Sequence, residues 1–165
     1  MTRIVVGVDG SPNSRRALRR AVEEAELRGG SVDAIYVYPP AQRSWSDDLI
    51  GLAVGAASAI GSVTDDGPAH HPPSREQEAH DLAESQLEKF VTEALGETPA
   101  QEPHLMAITA GHPAEALIEQ SRTADMLVIG TRGRGGFGGM LLGSVAHQCI
   151  QGSHCPVLIL PPETT

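Results

Sequence analysis

The residues best suited to chemistry are gathered in one stretch, "GTRGRGGFGGMLLGSVAH", residues 130–147. Seven of its first fourteen residues are glycine, two are arginine, and the apolar run "ADMLVIG" leads into it. Gly130, Gly133, Gly143 and Ser144 are spaced as G-x-x-G, nine residues, then G-S. Glycines let backbone amides approach a ligand with no β-carbon in between. Gly143 and Ser144 are expected to open a helix, whose free N–H groups and dipole favour an anion. Ser144 adds a hydroxyl, and Arg132 and Arg134 add the positive charge. Together these donors make a phosphate cradle; composition alone leaves a flexible surface loop as the plainer reading. Two common cradles do not fit. There is no G-x-x-x-x-G-K-[ST], and the first βα turn, "GVDGSPNS", is not G-x-G-x-x-G.

The whole chain narrows what such a loop can serve. At 165 residues it fits one domain over 1–165 and can bury a core without disulfides or metal. Aromatics are only 3%, so that core must be built from Val, Ile, Leu and Ala. A formal charge of −9 argues against general nucleic-acid binding, which needs a basic footprint. Two cysteines, Cys149 and Cys155, make no disulfide framework. "MTRIVVGVDG" shows no secretory signal pattern. "LIGLAVGAASAIGSV" is interrupted by glycine and falls short of the roughly 20 apolar residues a membrane span needs. The chain therefore reads as cytoplasmic, with no membrane partner.

Strands alternate with helices along the chain. "RIVVGVD" is a buried strand, and Ser11 then caps a helix with Pro12 at its first position. Gly29 and Gly30 stop that helix, and "SVDAIYVY" is a second strand closed by Pro39 and Pro40. From 41 to 74 the pattern dissolves into small residues, Asp pairs and prolines, a mobile excursion with one weak helix over 49–60. Ala79, Leu82, Ala83, Leu87, Phe90, Val91 and Ala94 mark an amphipathic helix. "HLMAIT", "ADMLVIG" and "CPVLILP" are the remaining strands, with helices opening at Pro113 and at Ser144. Such alternation means right-handed βαβ crossovers and an open α/β parallel sheet with helices on both faces. Ligands in these sheets sit beyond the carboxyl ends of strands, where Asp9 and Gly130 fall.

Nearly the whole chain resembles the universal stress proteins, and specifically their ATP-binding subgroup. The resemblance is carried by "RIVVGVDGSPNSRRAL", "YVYPP", "GHPAEALIEQSRTADMLVIGTRGRGG" and "LLGSVAHQCIQGSHCPVLILP". That subgroup's signature, G-2x-G-9x-G-[S/T], is matched at Gly130, Gly133, Gly143 and Ser144. The resemblance implies a Rossmann-like, five-stranded parallel sheet in the order 3-2-1-4-5. It implies that adenine meets backbone at Gly7 and Val37, with Asp9 towards the adenosine end. Gly130, Arg132 and Gly133 would line the ribose and first phosphates, and Gly143, Ser144 and Val145 the phosphate chain. ATP is the implied cofactor, with Mg²⁺ held mainly by its phosphates, and a homodimer through Val157–Leu160 the implied assembly.

Each of these residues also has a purely structural explanation. Asp9 would close an Asx-turn, Arg132 and Arg134 would be solvated loop charges, and Ser144 a bare helix cap. Phe137, Met140, Leu141 and Leu142 suit lid packing or partner contacts better than ligand contacts. His70, His71 and His80 lack the spacing of a metal site, and both cysteines read as small buried hydrophobes.

Phosphoryl transfer needs a base or water-positioning residue and charge clamps, usually with a metal held by acids. No acid, Gln or His lies between Gly130 and Val145. The sequence therefore supports a nucleotide-dependent regulator or stress-response factor with at most slow ATP hydrolysis and no catalytic residue. The alternatives are a nucleotide hydrolase using the same site, or a dimeric interaction module binding AMP, cAMP or no nucleotide.

Overall fold

A computed structural model of the chain describes residues 2–40, 74–96, 103–109, 111–133 and 142–161. Among the described residues, five strands alternate with four helices: β1 (Arg3–Val8), α1 (Pro12–Arg28), β2 (Ser31–Tyr38), α2 (Arg75–Leu95), β3 (His104–Thr109), α3 (Pro113–Ser121), β4 (Met126–Gly130), α4 (Ser144–Gly152) and β5 (Val157–Leu160). All strand pairs are parallel, in the order β3-β2-β1-β4-β5. The expected fold is thus the observed one.

Strand alternation divides the sheet into two faces. Ile4, Val6 and Val8 of β1 face Leu18, Ala21 and Val22 of α1 and Leu87 and Phe90 of α2. Val5, Ile35, Leu127 and Ile129 face Ala114 and Leu117 of α3 and Ala146 and Cys149 of α4. Burial on both sides explains why the strands read as almost continuous apolar runs.

The helix ends follow their local chemistry. Ser11 caps α1, its hydroxyl accepting from the Ser14 N–H at 3.2 Å, and Gly29 ends the helix in the left-handed region at φ 59°. Ser74 caps α2 in the same way, accepting from the Gln77 N–H at 3.2 Å. It belongs to that helix rather than to the excursion expected over 41–74. Residues 41–73, with His70, His71 and the helix expected over 49–60, lie outside the described residues. At the far end of α2, Arg19 Nε donates to the Ala94 carbonyl at 2.8 Å, satisfying one of the acceptors a helix terminus leaves open.

A polar network ties the amino edge of the sheet together. Arg3 Nε donates to Asp33 Oδ2 at 2.6 Å, and its Nη groups donate to Thr123 Oγ1 at 2.6 Å and Gln120 Oε1 at 3.0 Å. β1, β2 and the α3–β4 turn are thereby linked through one side chain.

Candidate functional site

The crossover to β2 leaves β1 on one side, and β4 joins it on the other, so a crevice opens beyond the carboxyl ends of β1 and β4. A cavity of about 300 Å³ lies there. The sequence-expected Gly7, Asp9, Val37, Gly130, Arg132, Gly133, Gly143, Ser144 and Val145 all line it. Arg134, Phe137, Met140 and Leu141 lie outside the described residues. Leu142 packs against the α3–α4 core.

The cavity has two ends of different character. Ile35, Val37, Leu117 and Ile129 supply apolar walls from β2, α3 and β4. Asp9, the 131–133 turn and the start of α4 supply the polar end. There Gly143 caps α4 with no side-chain hydrogen bond, so the amides of the first turn lack the cap that Ser11 gives α1. The helix opens at Ser144 as expected, and the alternative reading of Ser144 as a bare cap is set aside. Ser144 is the first helical residue, it is exposed, and Gly143 holds the cap position.

The turn itself is pinned from both sides. The Gly143 N–H donates to the Thr131 carbonyl at 2.7 Å, and Asn13 Nδ2 donates to the Arg132 carbonyl at 3.3 Å. Gly130 permits this approach of β4 to α1, because a β-carbon there would stand 2.9 Å from the Asn13 β-carbon. Asp9 Oδ1 accepts from the Ser11 N–H at 3.0 Å, so the Asx-turn is present as well as the cavity lining. The structural and ligand-facing explanations of Asp9 are compatible.

Among the described residues, two donors at the polar end are buried without a hydrogen-bond partner, Thr131 Oγ1 and Arg132 Nε. Buried polar groups are normally paired, and leaving one unmade costs about 1–3 kcal/mol. Both belong to the G-x-x-G turn and both residues line the cavity. An anion bearing several acceptor oxygens is the kind of group that such a set of donors fits.

Sequence reasoning missed Ser14, Thr131, Pro113, Leu117 and Ala146, which also line the cavity. Thr131 was within reach, as one of the two variable residues inside the G-x-x-G turn. Leu117 was not, since only the docking of α3 brings it beneath Gly7. No three His, Cys, Asp or Glu side chains cluster as metal ligands among the described residues. No described helix is long and apolar enough to cross a membrane.

A family model described as the universal stress protein family matches residues 1–60 and 53–161. The chain belongs to the universal stress protein family. It is 30% identical over 163 residues to a universal stress protein of Mycolicibacterium smegmatis, covering 97% of this chain and 46% of that protein. The chain thus spans about half the length of the curated relatives it matches. A universal stress protein solved in complex with cAMP shares the fold at a TM-score of 0.56 and 24% identity, over 96% of each chain. The Archaeoglobus fulgidus universal stress protein in complex with dAMP shares it at a TM-score of 0.54 and 24% identity, over 96% of this chain and 97% of that one.

Proposed function

We propose that this universal stress protein binds an adenine nucleotide in the switch-point cavity, as a member of the ATP-binding subgroup. The observation that carries the reading is the pair of buried, unpartnered donors, Thr131 Oγ1 and Arg132 Nε, beside a helix start with no side-chain cap. An apolar end and a donor-rich end suit a ligand with a flat base and a phosphate chain. The complexes of family members with cAMP and dAMP add support from outside this chain.

In this reading the base lies towards Gly7 and Val37, and Asp9 serves the adenosine end. Gly130, Arg132 and Gly133 serve the first phosphates, and Gly143, Ser144 and Val145 the rest of the chain. Mg²⁺, when ATP is bound, neutralises charge on the phosphates and is held mainly by them. The chain's own part is to bind and orient. Nucleotide occupancy then regulates its surfaces in the cytoplasm during a stress response. Strand β5, paired on one side with β4, offers its other edge to a second copy.

Calorimetric titration of ATP, AMP and cAMP with Mg²⁺ into wild type and Arg132→Ala tests the reading. ATP binding weakened at least tenfold in the variant is expected. No heat with any of the three, from protein freed of carried-over ligand, overturns it. Phosphate release at about 1–1000 per second would replace the regulator by a hydrolase.

A further inference from the structure

A second cavity, of about 330 Å³, lies on the opposite face of the sheet from the first, and among the described residues the two share only Val8. Its walls come from β1, β2, α1 and α2, and Val8, Leu87 and Phe90 form its apolar part. Its polar part is unusual for a chain of net charge −9, since among the described residues Arg15 and Lys89 stand there against Glu93 alone.

Arg15 is incompletely satisfied. Its Nε is buried with no hydrogen-bond partner. Its Nη2 reaches Glu93 Oε2 only at 3.6 Å, with both side chains about half exposed, so that pair is weak. Its guanidinium carbon stands 5.8 Å from the Phe90 ring centroid, a cation–π contact that holds the fork beside an aromatic wall. Guanidinium presents Nε and Nη as parallel donors that match a carboxylate bidentately. At the other side, the Tyr36 hydroxyl donates to Gln86 Oε1 at a long 3.4 Å, leaving a polar pair that an incoming oxygen can reorganise.

We propose that this cavity is a second small-molecule site, for an aromatic carboxylate whose acid group pairs with Arg15 and whose ring lies against Phe90 and Leu87. The site is independent of whether the first cavity takes a nucleotide. The ring supplies flat apolar surface to the walls, and the carboxylate replaces Glu93 as the partner of the guanidinium. Lys89 adds charge but no fork.

The test is an NMR titration of the whole chain with benzoate and with indole-3-acetate, following the Arg15 Nε–H and the Tyr36 and Phe90 ring signals. Saturable shifts at those three residues are expected, with affinity at least tenfold lower in Arg15→Gln and in the charge-conserving Arg15→Lys. Glu93→Gln, a change at a half-exposed side chain, is expected to tighten binding about threefold by removing the competing carboxylate. Arg132→Ala should leave the titration unchanged. Absence of saturable shifts, shifts confined to 130–133, or affinity indifferent to both Arg15→Lys and Glu93→Gln would overturn the proposal.

Discussion

The Asp9 carboxylate occupies the space into which a side chain at Gly133 would project. This one approach joins the end of β1 to the turn after β4, the two strand ends that bound the switch-point cavity. Gly133→Ala therefore forces either the carboxylate or the turn to move. Gly133 is exposed and belongs to neither core, so the fold has little at stake. Calorimetry should show adenine-nucleotide affinity reduced tenfold or more, with a thermal midpoint within a few degrees of wild type. Undiminished affinity would mean that the Asp9–Gly133 approach is no part of the cradle.

Two open glycines should respond with opposite sign. A β-carbon at Gly29 meets nothing within 4 Å, yet its φ of 59° is one that L side chains avoid. Gly29→Ala is expected to lose about 1 kcal/mol through backbone strain alone. Gly111 is equally open but has no such φ. Gly111→Ala is expected to gain a few tenths of a kcal/mol, because alanine restricts the unfolded chain. Urea unfolding of the two variants reads both effects, and the same sign in both would refute the distinction.

How much of this was legible beforehand depended on whether a feature was local. Apolar runs bounded by Gly and Pro marked every strand, and Ser11-Pro12 marked the start of α1, because caps and strand ends act over a few residues. Gly130, Gly133 and Gly143, which line the cavity, stood out in the sequence because glycine puts no β-carbon between two closely approaching backbones. Ser74 was misread, since a single serine after a proline-rich segment carries no periodicity until the helix behind it is counted. The start of α4 at Ser144 was legible, and only the alternative of Ser144 as a bare cap fails, because the chain places Gly143 at that position and leaves the amides without a side-chain cap. The second cavity was invisible. Arg15 and Phe90 are 75 residues apart in sequence, and only the packing of α1 on α2 brings the guanidinium beside the ring.

Arg3 is expected to matter more for stability than an ordinary surface arginine. Its partner Asp33 is only 6% exposed, and the imidazole of the exposed His104 lies 3.6 Å from the same carboxylate. Arg3→Met strands Asp33 in a low-dielectric position, which typically costs about 3–5 kcal/mol. Asp33→Asn added to that variant removes the stranded charge and should recover part of the loss. A double-mutant cycle by chemical denaturation measures the coupling. Additive losses would mean that the pair contributes as two separate residues.

The alkaline limit of stability should depend on Cys149. Burial in the α3–α4 core raises its thiol from the ordinary value of 9.0 to about 11. Below pH 9 the folded and unfolded chains both keep the proton, and the group adds no pH dependence. Between about 9 and 11 the unfolded chain gives up the proton while the folded chain retains it, so stability falls as pH rises. At about 1.4 kcal/mol per unit, the ceiling of the loss is about 3 kcal/mol. Burial raises the Cys155 thiol as well, with the same sign. Cys149→Ala should thus start from a lower stability at pH 8 but lose less between pH 9 and 11, leaving the slope due to Cys155 and the remaining groups. Denaturant unfolding at half-unit steps across that window decides the matter: an unchanged slope in the variant would place the alkaline sensitivity elsewhere in the molecule.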